Sequence, residues 1–153
     1  MRWYFLRHAK TERFSTTGLD YDRALAERGV LQCEFLSEIL KTLPIDTIYC
    51  SKAKRTVQTQ QLACECLNAQ VFFQESLYLA TQEIWDLFLR EKARHNTLFI
   101  GHNEGISEFI SWLIGDEIRL QTAALVTLDF LGDDPSALGP GTARLVDYSR
   151  PKV

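Results

Sequence analysis

The sequence predicts a three-layer α/β fold, a mostly parallel central sheet with helices on both faces. Three observations carry that expectation. Short apolar runs alternate with amphipathic stretches along the chain, the order of strand–helix–strand units. Two of these runs, Trp3-Tyr4-Phe5-Leu6 and Thr97-Leu98-Phe99-Ile100, are uncharged and bounded by polar residues, as central strands are. Each run leads to a histidine, His8 or His102, at the carboxyl end of its strand, where open α/β sheets bind ligands.

The elements follow in order. Residues 2–7 form the first strand. Residues 8–25 are polar and irregular, with Gly18, Asp20, Asp22 and Arg23, and read as a functional loop over the strand ends. From about Glu27 to Leu43, Leu31, Phe35, Ile39 and Leu43 recur every fourth residue. Leu36 and Leu40 widen this stripe into an amphipathic helix that Pro44 stops. Asp46 to Cys50 is the second strand. Ser51 stands where a helix N-cap belongs, ahead of a helix over 52–68. Val71-Phe72-Phe73 is a short third strand, and Ile84, Leu87 and Phe88 give a third helix over about 81–94. Thr97 to Gly101 is the fourth strand. Ile106, Phe109, Ile110, Leu113 and Ile114 mark a fourth helix that ends at Gly115. Ala123 to Phe130 and Ala143 to Tyr148 are β-like. The turn formers Gly132-Asp133-Asp134-Pro135 and Gly139-Pro140-Gly141 between them predict a closing hairpin or neighbouring strands.

With 153 residues and no linker, repeat or low-complexity tract, residues 1–153 are expected to form one domain. A hydrophobic content of 46% suits a globular protein, and a net charge of −3 speaks against bulk nucleic-acid binding. No apolar run approaches the about 18–20 residues of a membrane span, and the first residues pass straight into a strand without a signal-peptide pattern. The expected location is cytoplasmic, with no membrane partner. Cys33, Cys50, Cys64 and Cys66 lack zinc-site spacing and read as buried thiols of a reducing compartment. His95, in a polar Arg94-His95-Asn96 turn, reads as structural.

Three positions then converge. His8 follows the first strand, Arg55 lies near the start of the second helix, and His102 follows the fourth strand; Arg7 comes with His8. Two guanidinium groups and two imidazoles suit a phosphoryl group, and a helix start adds N–H donors. Neutral His8 can act as nucleophile through a phosphohistidine intermediate, with neighbouring guanidinium groups expected to keep it neutral. His102 can donate to an oxygen that gains charge in the transition state. The scheme calls for no metal and no cofactor. A glycine-rich nucleotide loop is absent.

The same residues resemble the histidine phosphatase superfamily, the phosphoglycerate-mutase-like enzymes, and within it the compact SixA-type phosphohistidine phosphatase branch. Leu6-Arg7-His8-Ala9-Lys10-Thr11-Glu12 resembles the family's Arg-His-Gly signature, and Asp22-Arg23-Ala24-Leu25-Ala26-Glu27-Arg28-Gly29 its next motif. Ser51-Lys52-Ala53-Lys54-Arg55-Thr56-Val57-Gln58-Thr59 is similar to its Ser-Pro-x-x-Arg-Ala-x-Gln-Thr helix start. Leu77-Tyr78, Phe99-Ile100-Gly101-His102-Asn103 with Ile106, and Gln121-Thr122-Ala123-Ala124 resemble the later blocks. The resemblance implies a phosphoglycerate-mutase-like fold, His8 as the phosphorylated nucleophile, and Arg7, Arg55 and His102 completing the phosphate pocket. Ser51 matches a motif position and reads as a helix cap; Asp22 and Arg23 read as loop-fixing structure. Ala9 departs from the family's glycine, Lys52 from a proline, and Glu104 from the proline common after the His-Asn pair.

Mutase-type and acid-phosphatase-type members supply an acid to the leaving oxygen. Glu75 and Glu83, with Glu12, are the available candidates, and none sits in a matched motif. A phosphohistidine substrate leaves as imidazole, whose reference pKa is near neutrality, so it needs that acid least. The expected substrate is therefore a phosphohistidine-carrying signalling protein. A small-molecule phosphatase or mutase of the same family, and a non-catalytic phospho-ligand binding module, are the alternatives.

Overall fold

A computed structural model describes residues 1–153. Its elements are β1 (Arg2–Arg7), α1 (Glu27–Leu40), β2 (Thr47–Ser51), α2 (Lys54–Cys64), β3 (Gln70–Gln74), α3 (Gln82–Lys92), β4 (Thr97–Gly101), α4 (Gly105–Ile114), β5 (Leu125–Phe130) and β6 (Ala143–Ser149). Single 3₁₀ turns lie at Asp20–Asp22, Glu75–Leu77 and Pro135–Ala137.

The strands form one six-stranded sheet in the order β3-β2-β4-β1-β5-β6. β3, β2, β4 and β1 run parallel, while β5 and β6 close the edge as the expected antiparallel pair. β1 divides its side chains between the two faces, as a strand's period of two requires. Trp3 and Phe5 join a core with Trp85 and Leu89 of α3 and Phe109 and Leu113 of α4. Tyr4 and Leu6 join a second core with Leu36 and Leu40 of α1 and Ala63 of α2. Helices thus cover both faces, and the three-layer expectation holds.

Several boundaries differ from the sequence reading. α1 ends at Leu40, because Thr42 N and Leu43 N turn back to Ile39 O and Leu40 O and tighten the chain before Pro44. Its buried face is also different. Gly29, Gln32, Cys33, Leu36 and Leu40 face inward, while Leu31 and Phe35 of the expected stripe are exposed. Gly29 sets that rotation: a Cβ there would sit 2.1 Å from the Lys10 carbonyl oxygen, so only this face lets the helix reach the loop after β1. Gln32 Oε1 then accepts from Lys10 N at 2.8 Å. α2 begins at Lys54 rather than 52, with Ala53 at the cap and no side-chain capping bond. Ser51 is not an N-cap; it remains in β2, opposite Gln74 of β3. Cys33, Cys50 and Cys64 are buried free thiols as expected, but Cys66 is exposed. His95 Nδ1 accepts from Arg2 N at 3.0 Å, a structural contact at the amino end of β1. No helix is long and apolar enough to cross a membrane.

A second close approach holds the start of α4. A Cβ on Gly105 would lie 1.7 Å from the Ala80 carbonyl oxygen. Gly29→Ala and Gly105→Ala are therefore expected to destabilise the protein by about 1–3 kcal/mol or more in denaturant unfolding. Gly139→Ala, whose nearest neighbour is Thr142 Cγ2 at 3.9 Å, should change stability by less than about 0.5 kcal/mol.

Candidate active site

The site is assembled by strand register. Arg7 pairs with Gly101 across β1 and β4, and His8 N donates to Gly101 O at 3.2 Å. Cys50 pairs with Ile100 across β2 and β4. His8, His102 and Ser51 therefore stand at one level, at the carboxyl ends of three adjacent parallel strands. The His8 and His102 rings lie 5.3 Å apart between centroids.

They open onto a cleft of about 380 Å³, whose lining includes Arg7, Lys10, Asp20, Arg23, Arg55 and Asn103 with the two histidines. The four residues singled out from sequence, Arg7, His8, Arg55 and His102, are thus brought together. A larger groove of about 590 Å³ lies beyond Glu104, but it contains Glu104, Glu108, Asp116 and Glu117 and no histidine. Its carboxylates repel phosphate, whereas the smaller cleft gathers four cationic side chains.

His8 is buried, and its Nδ1 lies 2.8 Å from the Ala9 carbonyl oxygen. A carbonyl only accepts, so Nδ1 carries the proton and the neutral ring keeps its lone pair on Nε2. Burial is the main cause that pushes His8 down to about 3; Arg55, Arg7 and Arg23 add to it, and the Ala9 carbonyl opposes it. The guanidinium groups thus act as expected but rank behind desolvation. Burial likewise pushes His102 down to about 2, with further repulsion from His8 and Arg55.

His102 Nε2 lies 2.7 Å from Ser51 Oγ, which also accepts weakly from Ala53 N at 3.4 Å. With its proton on Nδ1, the neutral His102 ring would accept the Ser51 hydroxyl hydrogen at Nε2 and leave Nδ1–H to donate. His102 Nδ1 is buried without a protein partner. Arg7 Nε and Arg55 Nε are also buried and unpartnered. Three of the six orphaned buried polar atoms therefore belong to this site, the pattern of a pocket built for an acceptor-rich anion.

The arginines are held from behind. Arg7 Nη1 donates to Leu120 O at 3.0 Å. Arg55, in the first turn of α2, donates to Asp20 O at 2.9 Å and to Asp20 Oδ2 at 3.0 Å. Asp20 also accepts from the Tyr78 hydroxyl at 2.6 Å and from Arg23 Nη1 at 3.1 Å. Partial burial raises the Asp20 carboxyl, but the bonds from Tyr78, Arg23 and Arg55 outweigh it and hold it well below the usual carboxylate range. Arg23 further donates to Thr11 Oγ1 and Glu12 O, and Asp22 accepts from Thr17, so both fix the loop as expected. Ala9 N donates to Thr59 Oγ1, whose hydroxyl donates to Arg55 O, joining the His8 loop to α2. The Ala9 methyl lies in the core shared with Tyr4 and Leu6 and does not line the cleft, so its departure from glycine leaves the pocket unaltered.

Glu75 and Glu83 do not reach this cleft. Glu75 sits in the 3₁₀ turn after β3 and accepts from the Tyr21 hydroxyl, and Glu83 is exposed in the first turn of α3. Glu12 is exposed and also absent from the lining. Asp20 is the one carboxylate in the cleft wall, and it is ionised and committed. Sequence reading placed Asp20 in a functional loop and Tyr78 in a matched block without giving either a role, and it missed Ser51 as the partner of His102. The aspartate in an arginine-rich loop was the available signal; Tyr78 and Ser51 gave none beyond their motif positions.

Over residues 3–78 the sequence matches the model of the histidine phosphatase superfamily, branch 1. No curated protein matches the sequence. Among solved structures, a protein of Agrobacterium tumefaciens provisionally named phosphohistidine phosphatase SixA is 24% identical, with a TM-score of 0.81 over 98% of this chain and 97% of that one. A protein histidine phosphatase SixA complexed with tungstate is 18% identical, with a TM-score of 0.82 over 98% of this chain and 97% of its own. The phosphoserine phosphatase of Entamoeba histolytica bound to 3-phosphoglyceric acid is 14% identical, with a TM-score of 0.70 over 99% and 98% of the two chains. The family match takes in the strand that delivers His8 and the helix start that delivers Arg55, and this chain belongs to the histidine phosphatase superfamily.

Proposed function

We propose that the protein is a phosphatase that works through a phosphohistidine intermediate on His8 and removes phosphate from phosphohistidine in a signalling protein. The observation that carries the reading is the His8 tautomer, with Nδ1–H held on the Ala9 carbonyl and a neutral ring leaving Nε2 as a nucleophile among cations. Arg7 and Arg55 hold the phosphoryl oxygens, and His102 Nδ1–H donates to one of them as its charge grows. In the first step His8 Nε2 bonds to phosphorus as the bond from phosphorus to the leaving nitrogen breaks. Solvent protonates the free ring nitrogen of the substrate phosphohistidine, so that the ring departs as neutral imidazole. In the second step water attacks phospho-His8, gives its proton to solvent, and releases inorganic phosphate and free His8.

The cleft wall supports this substrate class. Its one carboxylate, Asp20, is ionised and held by three donors, so it cannot protonate a basic alkoxide. A phosphohistidine ring protonated by solvent on its free nitrogen leaves as neutral imidazole, whose conjugate acid has a reference pKa of about 6.5, without an acid from the cleft. The names of the SixA structures support the same substrate class for this chain.

Incubation with a phosphohistidine protein is expected to place acid-labile phosphate on the enzyme and release inorganic phosphate. His8→Ala should abolish both, and retained turnover in that variant would sink the mechanism. Glu75→Gln and Glu83→Gln should leave turnover within about twofold, given their distance from the reacting group. Strong hydrolysis of alkyl phosphates that Glu75→Gln abolishes would instead favour a small-molecule phosphatase.

The histidines also set a pH dependence. In the unfolded chain each ring takes up a proton near about pH 6.5, whereas in the fold His8 does so only near about 3 and His102 near about 2. Below pH 6.5 the unfolded state therefore binds more protons, and stability falls as pH drops from 7 to 5, by up to about 1.4 kcal/mol per unit per ring. Denaturant melts should show that slope reduced in His8→Gln. Ring NMR of the wild type should show His8 Nε2 unprotonated throughout the same range.

A further inference from the structure

One residue of the cleft wall is unlike the rest. Of its eleven lining residues, Leu79 alone is hydrophobic. Leu79 is 50% exposed and belongs to neither core. Its backbone is left-handed, with φ of +49°, a conformation that a residue with a β-carbon adopts against its own steric preference. Both neighbours are anchored. The Tyr78 hydroxyl donates to Asp20 Oδ2, and Ala80 packs its carbonyl oxygen against Gly105 while its N donates to Leu77 O. The chain thus holds a half-exposed leucine on the rim of a cationic cleft at a local cost that burial does not offset. Uncompensated strain of this kind points to function.

We infer that Leu79 is the contact for the leaving group, packing against the ring of the departing imidazole. The inference rests on the reading of the protein as a phosphatase for P–N bonds. His8 is buried on the floor of the cleft, so in-line attack on phosphorus drives the leaving group outward, toward the open rim. There a flat ring with carbon edges gains apolar contact with the isobutyl group, whereas ammonia or a sugar hydroxyl gains none. Leu79 also has no proton to give, which matches a leaving group that solvent protonates.

The test compares two P–N compounds that differ in the ring: phosphoimidazole, which releases imidazole, and phosphoramidate, which releases ammonia. The readout is the ratio of their kcat/KM values in each enzyme, which cancels the intrinsic reactivities when variants are compared with wild type. Leu79→Gly and Leu79→Asn should lower that ratio about fivefold to tenfold, the loss expected for a partial leucine contact. Leu79→Met should keep it within about twofold, because a thioether chain fills similar space. Glycine and asparagine accept the left-handed backbone, so the melting temperatures of those two variants should rise by about 2–4 °C. That rise separates lost selectivity from lost folding. A ratio indifferent to residue 79, or an equal loss on both compounds in every variant, overturns the inference alone. A lower melting temperature in Leu79→Gly counts against the strain on which it rests. Turnover of neither compound by the wild type overturns it together with the phosphatase reading.

Discussion

The site depends on β4 lying between β1 and β2 in parallel register. Because β4 returns from β3 to the middle of the sheet, three strands that are distant in sequence end side by side. The bond from His8 N to Gly101 O is the last rung of that ladder, and His102 is the next residue along β4. A slip of one residue in either pairing would turn the side chains to the opposite face of the sheet. The two cores on either side prevent that slip, since Trp3 and Phe5 belong to one and Tyr4 and Leu6 to the other. The paired central strands thereby hold the two imidazoles 5.3 Å apart between centroids.

Around this frame the site combines opposing demands. It gathers Arg7, Lys10, Arg23 and Arg55 in one cleft, yet the nucleophile proposed for it, His8, must stay neutral. Burial does most of this work for both histidines, and the arginines reinforce it. The same arrangement lowers stability in mild acid, because the neutral rings that suit the chemistry are the forms that folding must preserve. Asp20 balances the cation cluster from one side. It binds Arg55, Arg23 and Tyr78 together, which orients Arg55 toward the cleft and ties the loop after β1 to α2 and to the segment after β3.

Close backbone contacts complete the frame. Gly29 lets α1 meet the Lys10 carbonyl just beyond His8, and Gly105 lets α4 meet the Ala80 carbonyl just beyond Leu79. Both glycines lie next to segments that form the cleft, so the packing of helices and the shape of the site are set by the same contacts. At Ala9 the fold absorbs a methyl group into the core, where it supports the His8 loop from behind without narrowing the pocket.

The alternation of strand and helix, the closing antiparallel pair and the strand ends bearing His8 and His102 were legible in the sequence. They follow from local periodicity and from the rule that ligands meet the carboxyl ends of parallel strands. Arg55 was legible for the same reason, as a residue of the helix start after β2. The inward face of α1 was not, because periodicity marked Leu31 and Phe35 as well as Leu36 and Leu40, and only the contact of Gly29 with Lys10 decides between them. Ser51 read as a cap because a serine before a helix can serve either use; its hydroxyl meets His102 across 51 residues of chain. Asp20 finds Arg55 and Tyr78 across 35 and 58 residues. The sequence by itself determined which elements form and which strands lead to His8 and His102. Tertiary structure alone decided which side chains meet there, because a hydrogen bond between distant residues depends on strand order and loop packing rather than on any local pattern.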